Sequence, residues 1–256
     1  MEMLNPHCGI VRDSRGVVRI AVCNAGSLNI LSSAVTDGLR EGFERLAGDK
    51  SIRTVILAGQ SEKSMIGGAD IREMAKLDQK SAEAFITRLR DLCEAIRRFP
   101  APVIARLPGW CLGGGLEVAA SCDIRIAAHD ARFGMPEVKV GIPSVIHATL
   151  LPRLIGFGRA RWLVMTAENI DAPTALAWGL VDRVAAPGGL DDAVEHTVKA
   201  LLECGPEALR IQKELCRHWE ELPLTECVNL SVGDFGKSFL TGEPQRMMGS
   251  FLDRKR

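Results

Sequence analysis

The chain contains no tyrosine, and aromatic residues make up only 5% of it. A phenolic hydroxyl is therefore unavailable as a donor in any site. Net charge is also missing: 32 lysines and arginines offset 32 aspartates and glutamates. That balance argues against a surface that coats nucleic acid or adheres to membranes. No stretch approaches eighteen uninterrupted apolar residues, and Met1-Glu2-Met3-Leu4-Asn5-Pro6-His7 is not a basic start followed by an apolar core. The reading is a cytoplasmic protein with no signal and no membrane span. Cys8, Cys23, Cys93, Cys111, Cys122, Cys204, Cys216 and Cys227 form no C-x-x-C pair, so most are expected as small buried residues in a reducing compartment. His7, His129, His147, His196 and His218 form no H-E-x-x-H or H-x-H cluster, so no metal site is expected.

What remains is an ordinary globular composition over 256 residues, with 46% hydrophobic and 25% charged. It is enough for a substantial core. Strand-like runs at Val17 to Val22, Thr54 to Ala58, Pro102 to Arg106 and Asp123 to Ala128 alternate with helix-like stretches at Ser33 to Leu46, Ser81 to Phe99 and Leu116 to Ser121. Alternation of this kind predicts an α/β core with parallel neighbours. From Pro152 onward strands are expected to stop. Helical segments follow at Ala160 to Thr166, Ala172 to Trp178, Leu190 to Cys204, Pro206 to Leu222 and Leu224 to Ser238. Leu163, Val164, Leu176, Trp178, Leu180, Trp219, Phe235 and Phe239 give these segments apolar faces, to cover their own core or to meet another subunit.

Two glycine clusters follow two of the strands. Trp110-Cys111-Leu112-Gly113-Gly114-Gly115-Leu116-Glu117 places exposed amides at a helix start beside a carboxylate, and Ser64-Met65-Ile66-Gly67-Gly68-Ala69-Asp70-Ile71 occupies the equivalent place after the earlier strand. The first N–H groups of a helix lack intrahelical partners, and glycine permits close approach. Loops leaving the carboxyl ends of neighbouring strands meet at one crevice, where amides from both can grip a single oxygen. Neither run is G-x-x-x-x-G-K-[ST] or G-x-G-x-x-G, so nucleotide binding is disfavoured. In Phe133-Gly134-Met135-Pro136-Glu137, proline fixes the backbone before a second carboxylate, 20 residues beyond Glu117 and across a predicted strand. Two carboxylates in one apolar pocket can be tuned to different protonation states.

In their order and spacing these motifs resemble the crotonase, or enoyl-CoA hydratase/isomerase, superfamily. Gly67 to Ile71 is similar to its A-G-A-D-I segment, Gly113 to Glu117 to G-G-G-x-E and Cys122 to Ala127 to C-D-[IL]-R-I-A. Phe133 to Glu137 is similar to F-G-x-P-E, and Pro152 to Gly156 to P-R-L-[IV]-G. The resemblance implies a spiral core of ββα units over residues 1–190, and a helical C-terminal region over 191–256 that supports trimers or dimers of trimers. It also implies acyl-CoA thioester substrates. The implied oxyanion hole is the backbone N–H groups of Ala69 and Gly114. Glu117 is implied to activate water towards Cβ and Glu137 to protonate Cα, which favours reversible hydration of a 2-trans-enoyl-CoA over the family's isomerase chemistry. No metal or redox cofactor is implied, since coenzyme A is part of the substrate.

Substrate contacts are implied at Gly68, Asp70, Ile71, Asn29, Ile30, Leu31, Gly113, Pro136 and Ser144, with coenzyme A held mostly by backbone around Ala69 to Ile71 and Leu28 to Leu31. Arg254, Lys255 and Arg256 read more simply as solvated charges than as a phosphate clamp. The chain departs from the pattern at Gly141 to Thr149, where many hydratases carry a glycine-rich I-P-G-A-G-G-T-Q. Ser144 stands at the place of a glycine, Val145 and Ile146 are expected to stiffen or narrow the pocket, and His147 is expected to pack. Met65 and Gly67 also replace a usual phenylalanine and alanine. These positions bear on the acyl group accepted and on hydration as against isomerisation, decarboxylation or thioester hydrolysis. A noncatalytic RNA-binding role is the reading that the charge balance disfavours.

Overall fold

The computed structural model describes residues 1–253 of the chain, so Arg254, Lys255 and Arg256 lie outside the described residues. Its first three strands, β1 (Glu2–Asn5), β2 (Cys8–Arg12) and β3 (Val17–Val22), form an antiparallel meander. From β3 onward the chain winds. Helix α1 (Ser33–Leu46) carries it to β4 (Thr54–Gly59), which pairs parallel with β3. Ser32 caps α1, and Val35, Leu39, Phe43 and Leu46 form its buried stripe at helical spacing.

The next units repeat one plan. A strand in a large sheet is followed by a three-residue strand in a small sheet and then a helix. β4 leads to β5 (Ser64–Ile66), the short α2 (Ile71–Met74) and α3 (Gln79–Arg97); β6 (Val103–Leu107) leads to β7 (Trp110–Leu112) and α4 (Gly114–Ala120). β8 (Ile124–Ala127) leads to β9 (Arg132–Gly134), 3₁₀ turns at Glu137–Val140 and Ile146–Leu150, α5 (Leu151–Ile155) and α6 (Phe157–Thr166). With β10 (Ile170–Asp171), α7 (Ala172–Trp178) and β11 (Arg183–Val184), the large sheet has the order β1-β2-β3-β4-β6-β8-β11 and the small one β10-β9-β7-β5. The expectation that strands stop at Pro152 is corrected by β10 and β11. Each has only two residues, too few to show a period, and exists by pairing with β9 and β8.

Period-two alternation places the large sheet between two cores. Val103, Ala105 and Leu107 of β6 face the main core, while Ile104 faces a second one shared with Leu190, Val194 and Val198 of α8 (Leu190–Glu203). Helices α9 (Pro206–Glu221), α10 (Leu224–Ser238) and α11 (Glu243–Asp253) complete the described chain. Lys213 anchors α9 from a buried position, its Nζ lying 2.7 Å from Asp123 and donating to the carbonyls of Ile96 and Ala101 at 3.2 Å. Of the apolar residues singled out in the helical region, Leu163 and Leu180 are buried and Val164 and Trp178 pack on the main core. Leu176, Trp219, Phe235 and Phe239 remain exposed. Six cysteines are buried, Cys204 and Cys216 are exposed, and all eight are free thiols.

Candidate active site

The first amide of the site is held by an edge pairing just beyond β5. Leu31 N–H donates to Gly68 O at 2.9 Å and Asp70 N–H donates to Leu31 O at 2.9 Å, an isolated parallel bridge of Leu31 to Ala69. The Ala69 N–H faces away from that bridge and has no partner among the described residues. Gly68, at φ +130°, makes the turn that allows it. The segment Leu28 to Leu31 acts here as a brace. Asn29 is buried at φ +51° with Nδ2 donating to Ser64 O at 2.8 Å, and Gly67 N–H donates to Leu28 O at 2.7 Å. The Asp70 carboxylate is committed to capping α2, accepting from the N–H groups of Arg72 and Glu73 at 2.8 and 3.2 Å. Ile71 is exposed, Leu31 is buried, and Ile30 N–H donates to Ala25 O.

The second amide comes from the start of α4. Gly113 caps that helix with its carbonyl, which accepts from Leu116 and Glu117 N–H at 2.8 and 3.0 Å, and its own N–H donates to Gly134 O at 2.9 Å. Gly114 is the first helical residue, and its N–H has no partner among the described residues. Because β5 and β7 are paired in the small sheet, the two loops lie side by side. Gly115 allows the contact: a Cβ there would fall 2.2 Å from Ile66 O.

One turn into α4, Glu117 is only 4% exposed, and its Oε1 accepts from Ala148 N–H at 2.8 Å. Glu137 opens the 3₁₀ turn that follows Pro136, half-buried, with Oε2 accepting from Ser144 Oγ at 3.0 Å. Both carboxylates line one cavity of about 240 Å³ together with Gly68, Ala69, Gly113, Gly114 and Pro136. Helix α3 closes its apolar wall with Phe85, Ile86 and Leu89. Val145 lines the cavity as expected, whereas Ile146 packs on the main core instead. Met65 is fully buried.

Burial pushes the pKa of Glu117 up to about 8; the Ala148 N–H pulls it down and the charge of Glu137 pushes it up again. Burial also raises Glu137, against its own backbone N–H and the Ser144 hydroxyl, both of which favour its ionised form. Near neutral pH the more deeply buried Glu117 therefore keeps its proton most readily. One of the two carboxylates can hold a proton while the other is ionised, beside a pair of free amides. Such a site can move protons while stabilising an oxygen that gains negative charge.

The structure thus brings Glu117, Glu137, Ala69, Gly114, Gly68, Ile71, Gly113 and Pro136 to one cavity, with Ser144 bonded to its second carboxylate, while Asn29, Ile30, Leu31 and Asp70 lie outside its lining and brace the Ala69 loop. Ser144 is picked out by standing where a glycine-rich segment is expected, but the donor Ala148 N–H and the α3 wall are not signalled by any motif. The Ala148 amide, unlike those of the glycine clusters, has no sequence signature, and Phe85 and Leu89 look like any core-facing residues of an amphipathic helix. A further cavity of about 240 Å³ lies under α9, but the cations lining it are already paired, Arg97 with Glu94, Lys213 with Asp123 and Arg125 with Asp182. Among the described residues no group of three or more His, Cys, Asp and Glu side chains could hold a metal ion, and no helix is long and apolar enough to cross a membrane.

Fold and site together define an α/β protein in which two unpartnered backbone amides and two glutamates line one cavity. The sequence pattern of the family described as Enoyl-CoA hydratase/isomerase matches residues 12–256. The Short-chain-enoyl-CoA hydratase of Clostridium acetobutylicum is 32% identical over 100% of this chain and 97% of its own length. The human mitochondrial Methylglutaconyl-CoA hydratase is 29% identical over 95% of this chain and 73% of its own. The crystal structure of the enoyl-CoA hydratase of Mycobacterium smegmatis superposes with a TM-score of 0.93 at 31% identity, covering 98% of this chain and 97% of that one. The chain belongs to the enoyl-CoA hydratase/isomerase family, and its fold is the crotonase fold.

Proposed function

We propose that the protein catalyses the reversible addition of water to a 2-trans-enoyl-CoA, giving a 3-hydroxyacyl-CoA. The observation that carries this reading is the meeting of Glu117 and Glu137 in the cavity lined by Ala69 and Gly114. The thioester oxygen accepts from the Ala69 and Gly114 N–H groups, which stabilise the enolate as it forms. Glu117, ionised, takes a proton from water while the water oxygen bonds to Cβ; Glu137 gives its proton to Cα, and the enolate returns its electron pair to form that C–H bond. An acyl chain filling the cavity strips solvent from Glu137, the less buried of the two, and so favours its protonated form. Coenzyme A lies along the backbone of Ala69 to Ile71 and Leu28 to Leu31. Subunits associate through the C-terminal helices, as trimers or paired trimers, where Val232, Phe235 and Leu240 offer exposed apolar surface.

Ser144 supports a second reading. Its hydroxyl favours an ionised Glu137 while burial keeps the proton on Glu117, which is the state an isomerase needs for Glu137 to carry a proton between carbons. Incubation with a panel of enoyl-CoA substrates, with separation and mass spectrometry of the products, tests the two. Hydration adds the mass of one water and is lost about 10²–10⁴-fold in both Glu117→Gln and Glu137→Gln. A product of unchanged mass, formed by Glu117→Gln but not by Glu137→Gln, establishes isomerisation instead.

A further inference from the structure

The Ala148 amide that bonds Glu117 belongs to a turn in an unusual conformation. Ile146, two residues earlier, has φ +39°. A β-branched side chain is rarely found there, and the conformation persists only where the surroundings impose it. Between the two lies His147, buried, with Nε2 2.9 Å from Glu94 Oε1. Glu94 sits on α3 and is itself fixed. Arg97 and Arg98 donate to it at 2.9 Å, and Arg97 reaches on to Glu220 and Glu221 of α9 at 2.9 and 3.0 Å.

Burial works against ionisation of Glu94, but the bonds from Arg98, His147 and Arg97 outweigh it and hold its pKa down to about 2. Burial lowers the pKa of His147, against the pull of Glu94. The neutral ring must then carry its proton on Nε2 in order to donate to an ionised Glu94. Nδ1 is left as a buried acceptor without a partner among the described residues. Leaving a buried polar atom unpaired costs free energy that an apolar side chain at this position would avoid. Packing alone does not account for the histidine; its bond to Glu94 does.

We propose that His147, fixed to Glu94, is a positioning residue that holds the Ile146 turn so that the Ala148 amide stays bonded to Glu117. The inference rests on the reading of Glu117 as a working carboxylate. It links α3, which also walls the cavity through Phe85 and Leu89, to the group that handles the proton. The charges around the histidine come from α3 (Arg90, Glu94 and Arg97), and the charge that acts on Glu117 is Glu137.

The test follows the Glu117 carboxyl by ¹³C NMR in the free, full-length protein across pH 5 to 10, with Glu117→Gln used to assign the signal. In His147→Ala the loss of the ordered amide moves the Glu117 midpoint up by about one pH unit from its position near 8. His147→Gln, whose amide still donates to Glu94, returns it. Turnover of crotonyl-CoA follows, with kcat falling about tenfold in His147→Ala, KM changing less than about twofold, and the pH profile moving with the midpoint. Should His147→Ala not fold, Glu94→Ala, which removes the acceptor of the His147 bond, is titrated in its place, with the same direction expected. An unchanged Glu117 midpoint in the folded variant overturns the proposal. Absence of turnover in the wild type instead counts against the hydratase reading alone, since the titration needs no substrate.

Discussion

Glu137 lies against the open face of Gly113: a Cβ at position 113 would fall 2.6 Å from Glu137 Oε1. Gly113 also holds φ +52° and ψ −125°, a region that only glycine occupies readily. The residue that caps α4 therefore also leaves room for the second carboxylate. Gly113→Ala strains the backbone by about 1–3 kcal/mol and pushes Glu137 out of the cavity. Urea unfolding should report the first effect and enoyl-CoA turnover the second, with a loss of activity larger than the loss of folded protein. Wild-type activity in a destabilised Gly113→Ala would separate Glu137 from the chemistry.

The raised pKa of Glu117 makes the site costly to fold. A glutamate in the unfolded chain ionises near 4.5, whereas Glu117 in the folded chain ionises near 8. Between those values the unfolded state has released a proton that the folded state still holds, so the wild type loses stability as pH rises through this window. Glutamine cannot ionise and still accepts from Ala148 N–H. Glu117→Gln should match the wild type near pH 4 and exceed it by an amount on the order of 4 kcal/mol at pH 8. Denaturant midpoints at several pH values, at one protein concentration, measure the difference; a pH-independent gap would show that Glu117 titrates normally.

Long elements were legible because each carries its own pattern. The helices Ser33–Leu46 and Leu224–Ser238 have the bounds that their periodicity predicts, and Leu190–Glu203 and Pro206–Glu221 stop one residue short of theirs. The small sheet was not legible. β5, β7 and β9 have three residues each, and what makes them strands is pairing with one another across the chain. Within the site, Gly113-Gly114-Gly115 and the two glutamates stand out by type and spacing. The donor from Ala148 does not, because it depends on the backbone of an Ile146 turn that no side-chain pattern announces.

Burial makes Glu137 hold its proton, and Ser144 eases its release. Its hydroxyl donates to Oε2 at 3.0 Å and so favours the ionised carboxylate, partly offsetting the upward push of burial. Ser144→Ala removes that donor and leaves the burial. The Glu137 midpoint should rise by about one pH unit, and the limb of the pH–rate profile that reports it should move to higher pH. A profile that stays in place, with kcat unchanged, would mean that the bond does not matter in the working enzyme.

Lys213 and Asp123 give the helical region a buried polar attachment to the α/β core. The ammonium is buried, while the Asp123 side chain is 29% exposed and also accepts from Val103 N–H at 2.6 Å. The two partners are therefore unequal. Asp123→Ala leaves a buried cation with only the carbonyls of Ile96 and Ala101, and should cost about 3 kcal/mol. Lys213→Met leaves a carboxylate that water can still reach and fills the space with an apolar chain, so it should cost about 1 kcal/mol or less. Urea unfolding of both variants at neutral pH tests the asymmetry. Equal losses would show that the charge of Lys213 is solvated in the folded protein.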